Sequence, residues 1–321
     1  SSAGAILFSS TVNGAYTLAT TTTGSTTFSG TVGSTVTGLT INTATLTAAA
    51  ISLADNSALS VTNSSTGSIT GIISGTGVTL TKAGAGTLSL SGANTYSGST
   101  TITAGVLSVS SVADGGLASN LGQSSNADTS LVFNGGTLQF TGSGSGATDR
   151  SYTINTGKTA TFDITQSTGV LTLSGAAANT NGALTKIGSG TLVLSGDNQY
   201  SGATTINAGT LTVTSTGSLG GAAGVTGAAL TISSATLNLQ RAITVGSLSM
   251  SGTSPAITNT TGSSSLVISG TSTLAGNITT SGLQTYTGAV TLGAATVIST
   301  GSSTGAILFS STVNGANTLS T

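Results

Sequence analysis

The stretch LTKAGAGTLSLSGANTYSGSTTITAGVLSVSS, residues 80–111, is the strongest indication of the fold of this chain. It recurs as LTKIGSGTLVLSGDNQYSGATTINAGTLTVTS at residues 184–215, which is 104 residues further on, and 22 of the 32 aligned positions are identical. An internal repeat of this quality is typical of architectures built from stacked units, because one unit cannot bury its apolar face alone. The two copies therefore predict a repetitive fold for the 321-residue chain.

Each copy contains short runs in which apolar and polar residues alternate. In the first copy these runs are TLSLS at 87–91, TTIT at 100–103 and VLSVS at 106–110. Alternation of period two among aliphatic and β-branched residues predicts half-buried strands. Three such strands and two corners fill about the 20–30 residues that one coil of a parallel β-helix needs.

Glycine, asparagine and tyrosine lie between the predicted strands. Glycine permits the positive φ that a corner needs, and the asparagine side chain satisfies nearby backbone groups. The tyrosines are predicted to cover a corner rather than to bind a base or a sugar. The predicted corner residues are Gly92, Asn94, Tyr96, Gly98 and Gly105 in the first copy, and Gly196, Asn198, Tyr200, Gly202 and Gly209 in the second.

The shared pattern GxGTLxLSGxNxYSGxTTIxAGxLxV resembles the autotransporter-associated β-strand repeat, which is found in the passenger regions of large bacterial surface proteins. A further element usual in such proteins follows each copy, as LVFNGGTLQF at 131–140 and LTISSATLNL at 230–239. The resemblance implies an extracellular location on the bacterial cell surface. It is specific for the repeat and not for one function.

The predicted fold is all-β, a right-handed parallel β-helix (β-solenoid) of roughly 15 coils at about 20 residues each. One continuous segment over residues 1–321 is expected, with no internal linker. The alternative is a row of β-sandwich domains, because the spacing of 104 residues is close to the size of such a domain. The absence of tryptophan and an aromatic content of 3% argue against sandwiches.

The composition excludes several classes of function. The chain has 48 glycines, one proline and no cysteine, histidine or tryptophan, and 3% of its residues are charged. Without histidine or cysteine, the commonest general base, the thiol nucleophile and zinc sites of the usual kind are absent. We therefore expect no catalytic site, no cofactor and no metal. A net charge of −1 gives no electrostatic case for nucleic acid. No apolar run is long enough for a membrane helix, and no signal peptide is expected.

Two irregular stretches follow the two copies and are predicted to be loops. The first connecting loop is residues 112–130, and the second connecting loop is residues 217–229. Asp114 and Asp128 lie in the first of them and are candidates for sharing a cation. These two loops are the natural places for specific binding on an otherwise repetitive surface.

The few cations are predicted to be solvated. Lys82 and Lys186 occupy equivalent places before each GxG turn, where a solvated corner is expected. Asp149 and Arg150 form the only adjacent acid–base pair and are expected to be an exposed ion pair in a turn, which contributes under about 1 kcal/mol.

The sequence GAILFSSTVNGA occurs twice, at residues 4–15 and at residues 305–316, an offset of 301. The simplest interpretation is that the chain samples slightly more than one long period of a larger array. The alternative is that the two copies are equivalent coils at opposite ends of one domain.

Three hypotheses of function follow. The first is a structural extracellular protein that forms a stalk, filament or surface layer by β-helical stacking and by lateral or head-to-tail association with itself. The second is an adhesin passenger that binds cell-surface glycans or proteins through residues 112–130 and 217–229. The third is a carbohydrate-acting enzyme on the same fold, which the scattered aspartates disfavour.

Overall fold

The computed structural model describes residues 4–221, 227–301 and 305–321. These residues form strands, bends and turns without a helix, so no helix there is suited to crossing a membrane. The strands are β1 (Ile6–Phe8), β2 (Thr17–Thr21), β3 (Ser25–Phe28), β4 (Gly38–Thr43), β5 (Thr45–Ala48), β6 (Ile51–Ser52), β7 (Ala58–Asn63), β8 (Thr66–Ile69), β9 (Ile73–Ser74), β10 (Thr79–Ala83), β11 (Thr87–Leu90), β12 (Thr100–Ile102), β13 (Val106–Val109), β14 (Leu131–Phe133), β15 (Thr137–Phe140), β16 (Ser145–Thr148), β17 (Tyr152–Ile154), β18 (Thr159–Ile164), β19 (Val170–Leu173), β20 (Ala183–Ile187), β21 (Thr191–Leu194), β22 (Thr204–Ile206), β23 (Thr210–Val213), β24 (Ala229–Ser233), β25 (Thr236–Leu239), β26 (Ile243–Val245), β27 (Ser247–Ser251), β28 (Ala256–Thr258), β29 (Leu266–Ile268), β30 (Ser272–Thr280), β31 (Gln284–Tyr286), β32 (Val290–Thr300), β33 (Ile307–Phe309), β34 (Val313–Asn314) and β35 (Leu319–Ser320).

A first compact unit lies within residues 1–142 and 146–163. Its seven-stranded sheet has the order β17-β14-β12-β10-β7-β4-β2, so each strand pairs with the strand of the next coil. In this sheet Leu39 lies beside Leu59, and Leu59 lies beside Leu80. A second ladder joins β1, β3, β5, β8, β11, β13 and β15, and the pair β6 and β9 forms a third, shorter face. All of these pairs are parallel.

A second compact unit lies within residues 143–145 and 164–321. One parallel ladder joins β19, β21, β23, β25, β28, β30, β32 and β35. Another joins β20, β22, β24, β27, β30, β32 and β34, so β30 and β32 each contribute to two ladders. A third face consists of β26, β29, β31 and β33.

The ladders confirm the predicted β-solenoid. Seven rungs in the first unit and eight in the second, counted over the described strands, agree with the predicted number of about 15 coils. The β-sandwich alternative is wrong, because its sheets are antiparallel whereas these ladders are parallel. A single continuous segment over residues 1–321 stays a prediction.

Alternation along each strand produces the core. In β11 the side chains of Leu88 and Leu90 are buried, whereas Thr87 and Ser89 are half-buried on the other face. Leu88 lies beside Leu107 of the next coil, and Leu107 beside Leu138. Each coil therefore supplies only a few inward aliphatic side chains, and the coils above and below complete their burial.

The corners bring backbone from neighbouring coils very close together. A Cβ added to Gly98 would lie 2.4 Å from a carbonyl oxygen of the preceding coil, and one added to Gly202 would lie 2.3 Å from such an oxygen. The equivalent distance at Gly288, in the later sequence TYTG at 285–288, is 2.4 Å. Only glycine fits at these three corners, because any side chain would collide with backbone that cannot move independently.

Candidate functional site: corners and the first connecting loop

The two lysines of the repeats are buried. Lys82 in β10 and Lys186 in β20 are both 0% exposed. The Lys82 ammonium donates to the carbonyls of Ala83 at 2.6 Å, Gly84 at 2.9 Å and Ala104 at 3.2 Å. The predicted solvated corners are therefore wrong: each lysine points inward and reaches the backbone of the corner that follows it.

The second repeat reproduces this arrangement. Lys186 Nζ donates to the carbonyls of Ile187 at 2.7 Å, Gly188 at 2.8 Å and Ala208 at 3.3 Å. Each ammonium thus ties two adjacent corner carbonyls to a carbonyl of the next coil. Carbonyls at a corner lack ladder partners, so a buried cation with three donors satisfies groups that would otherwise be costly to bury.

Burial lowers the pKa of Lys82 from its ordinary value of 10.5 to about 8. A lysine with a lowered pKa is a candidate nucleophile when it lies in a cleft that a substrate can enter. Lys82 fails the geometric requirement, because its side chain is fully buried and its nitrogen points at backbone carbonyls. Its role in this structure is to hold the corner.

Asparagine completes the other corner of each repeat. Asn94 accepts the N–H of Ile73 at 2.8 Å through Oδ1 and donates to the carbonyl of Asn120 at 2.8 Å through Nδ2. Asn198 accepts the N–H of Ala177 at 2.9 Å and donates to the carbonyl of Ser218 at 3.0 Å. Each side chain therefore bridges the coil before it and the segment after it.

The corner tyrosines are also internal. Tyr96 and Tyr200 are both 0% exposed, and their hydroxyls bond to the hydroxyls of Thr100 and Thr204, in each case at 2.7 Å. Burial raises the pKa of Tyr96 to about 12 and also raises the pKa of Tyr200. A ring enclosed in this way packs the corner and offers no face to a ligand.

Arg150 organises the first connecting loop. No strand occurs between the end of β13 and the start of β14. The Arg150 side chain is 1% exposed and donates to four loop carbonyls, those of Ala113 at 2.8 Å, Leu117 at 3.1 Å, Gly122 at 2.9 Å and Ser124 at 3.4 Å. The predicted exposed Asp149–Arg150 pair is therefore wrong, because the loop folds over the guanidinium. Burial lowers the pKa of Arg150.

The acidic residues nearby join the same loop. Asp149 Oδ1 accepts the N–H of Gly115 at 2.7 Å, and Asp114 Oδ1 accepts the N–H of Asp149 at 2.9 Å. Asp128 accepts the hydroxyl of Thr153 through its backbone carbonyl at 3.0 Å. Over the described ranges, no three acidic, histidine or cysteine side chains come close enough together to hold a metal ion.

Arg241 makes the equivalent contact after the second repeat. Each arginine stands two residues before a strand, Arg150 before β17 and Arg241 before β26. Arg241 donates to the carbonyl of Gly217, and Arg150 to that of Ala113, and these two acceptors are one repeat spacing apart. The second connecting loop lies partly outside the described residues, which omit 222–226.

A cavity of about 400 Å³ lies in the second unit beside Arg241. Its lining is mixed and includes Thr204, Leu230, Ile243 and Val267. Among the lining residues that the structure describes, Arg241 is the only charged side chain, and it already donates to a carbonyl. The cavity therefore lacks the acid–base pair that hydrolysis of a glycoside needs.

Parts of the chain are similar to known proteins. The family described as Passenger-associated-transport-repeat matches residues 80–109 and 184–213. The Adhesin BmaC autotransporter of Brucella suis biovar 1 (strain 1330) is 43% identical over 122 residues, which are 38% of this chain and 4% of that relative. The chain thus spans a small part of the relative's length, and no solved structure matches it. The predicted resemblance is confirmed: the chain carries two passenger-associated-transport repeats and is similar to part of an autotransporter adhesin.

Proposed function

We propose that this chain is a structural stalk segment of a bacterial surface passenger. The observation that carries this proposal is the inward orientation of the lysine and arginine side chains of the repeats and the first connecting loop. Lys82, Lys186 and Arg150 are buried, and each donates hydrogen bonds to several backbone carbonyls. The side chains that most often perform catalysis or bind charged ligands here hold coils and a loop together.

An extracellular location and a role without catalysis belong to the same proposal. The similarity to passenger-associated-transport repeats and to a protein named as an autotransporter adhesin supports both. The exposed side of the ladders also fits a stalk, because in β11 and β21 it consists of Thr87, Ser89, Thr191 and Val193. A surface with few charges permits copies to associate side by side without electrostatic repulsion.

Binding by the first connecting loop is the second candidate function. Arg150 fixes this loop from beneath, while Leu117 at its surface is 58% exposed and Asp114 and Asp128 are exposed as well. A loop that is already ordered loses little conformational entropy on binding. A cell-surface protein or glycan is the partner that this surface would contact.

A loop exchange separates the two functions. Residues 112–129 of the full chain are replaced by a short glycine–asparagine turn, and binding to host cells is compared with that of the unaltered chain. Loss of binding with unchanged circular dichroism supports the adhesin. Equal binding by both chains excludes this loop as the binding surface, and no binding by either chain supports the stalk.

Electron microscopy of the native material tests the stalk directly. Fibres or rods with an axial strand spacing of about 4.8 Å are expected. Beads of separate globular particles would overturn the proposal.

A further inference from the structure

The two copies of GAILFSSTVNGA lie in two different surroundings. In the first copy, β1 pairs with the coil that follows it, so that Phe8 lies beside Phe28. In the second copy, β33 pairs with the coil that precedes it, so that Phe309 lies beside Tyr286. One identical sequence is therefore seen with a neighbour above it and, separately, with a neighbour below it.

The same relation holds at three positions along the coil. Val12 bridges to Val32 of the following coil, whereas its equivalent Val313 pairs with Val290 of the preceding coil. At the third position, Leu18 pairs with Leu39 of the following coil. Its equivalent Leu319 pairs with Thr296 of the preceding coil. All three strand segments of this coil thus have a partner on each side when the two copies are considered together.

The upward and downward hydrogen bonds use different backbone groups. Toward the following coil, the carbonyl of Phe8 accepts the N–H of Ser29 at 2.9 Å. The carbonyl of Val12 accepts the N–H of Gly33 at 2.8 Å, and the N–H of Val12 donates to the carbonyl of Thr31 at 3.0 Å. Alternate peptide groups of a parallel strand point to opposite neighbours, so the odd-numbered groups of this copy remain for the other side.

The second copy uses the remaining groups. The carbonyl of Ala306 accepts from Gln284 at 2.8 Å, the N–H of Ser310 donates to Tyr286 at 2.9 Å, and the carbonyl of Thr312 accepts from Val290 at 2.9 Å. Their equivalents in the first copy are residues 5, 9 and 11, none of which makes the upward bonds just described. One coil can therefore make both sets of bonds at the same time.

The aromatic rings follow the same rule. Phe8 stacks on Phe28 at a centroid distance of 4.7 Å with 2° between the planes, and Phe309 stacks on Tyr286 at 4.9 Å with 20°. A ring has two faces, and each copy uses one of them. Phe28, which has a rung on both sides, is 1% exposed, whereas Phe8 and Phe309 are only half-buried.

We infer that this coil is a junction coil, and that its second partner is another copy of this same chain. This coil would pair with residues 284–297 of one copy below and with residues 26–39 of the next copy above. Copies repeated every 301 residues would then share one uninterrupted set of ladders. The junction would form whether the protein works as a stalk or as an adhesin.

A tandem chain tests the inference. Residues 1–316 are joined directly to residues 16–321, so that a single GAILFSSTVNGA lies between two copies. Hydrogen exchange at the junction peptide is measured by mass spectrometry beside the single chain. We expect the junction amides that face the following coil and those that face the preceding coil to be protected, with exchange slowed about tenfold or more relative to either copy in the single chain. We also expect the tandem chain to unfold in one cooperative transition.

Two variants of the tandem chain provide the matched control. Phe309→Asp places a charge on the inward face of the junction, whereas Leu308→Asp places it on the outward face, where Leu308 is 51% exposed. Only Phe309→Asp should restore fast exchange at the junction. Exchange as fast as in the single chain, two separate unfolding steps, failure of the tandem chain to fold, or equal effects of the two substitutions would each overturn the inference.

Discussion

Replacing Lys82 by methionine should destabilise the protein, although it removes a buried charge. Methionine keeps most of the length of the side chain and removes the three bonds to the carbonyls of Ala83, Gly84 and Ala104. Hydrogen bonds to a charged donor contribute about 1.5–3 kcal/mol each, so the three bonds together contribute roughly 4.5–9 kcal/mol. The opposing term is the burial of the ammonium.

The size of the opposing term follows from the pKa of Lys82. Burial lowers this pKa from 10.5 to about 8, which corresponds to about 3 kcal/mol against the charged form at neutral pH. The three bonds together outweigh this cost, so the net loss of stability on Lys82→Met is about 1.5–6 kcal/mol. Lys186→Met should cause a loss of the same size, because Lys186 makes the same three kinds of bond.

Urea unfolding at pH 7.5 measures the effect, with midpoints followed by circular dichroism and the slope compared between variants. Lys158→Met is the matched control, because Lys158 is exposed and its replacement should change stability by less than about 0.5 kcal/mol. If Lys82→Met proves as stable as the control, the buried ammonium does not hold the corner and the reasoning is refuted.

Three further predictions concern the corners, the loop and pH. Gly98→Ala should destabilise by about 1–3 kcal/mol, because its Cβ would lie 2.4 Å from a backbone carbonyl; urea midpoints should show no such loss for Gly144→Ala, where the space is open. Arg150→Met should leave the loop carbonyls without donors, and limited proteolysis should then cut within residues 112–130 much faster while the unaltered chain resists. Stability should rise from about pH 8 to 10, because the unfolded chain keeps a proton that folded Lys82 has lost. It should fall between about pH 10 and 12, because folded Tyr96 keeps a proton that the unfolded chain has lost. Urea midpoints measured across this range should show a smaller rise but the same fall in Lys82→Met.

The coil was predictable from the sequence because the features that form it, strand alternation and glycine corners, lie within a few residues of one another. Alternation at Thr87–Leu90 selects the buried face of a strand, and the spacing of the glycines marks the corners. Gly98 and Gly202 have equivalent contacts in the two copies, so one repeat predicts the other. The same reasoning holds for Asn94, whose amide can satisfy backbone groups at any tight corner.

The burial of the cations was not predicted, although the sequence contains a signal for it. Lys82 is two residues after the inward Leu80, and Arg150 is two residues before the inward Tyr152, so alternation places both side chains on the buried face. Charged residues are normally read as solvated because burying an unpaired charge is costly. That general preference outweighed the period-two pattern and led to the wrong expectation.

The parallel coil, the positions of its corners and the inward face of each strand follow from the sequence alone, because they depend on neighbours within a few residues. The groups that the inward lysines and arginines contact depend on the stacking of the coils. Ala104 is 22 residues from Lys82, and Ala113 is 37 residues from Arg150. A buried cation is stable only where carbonyls without ladder partners converge on it, and those carbonyls come together only when one coil has stacked on the next.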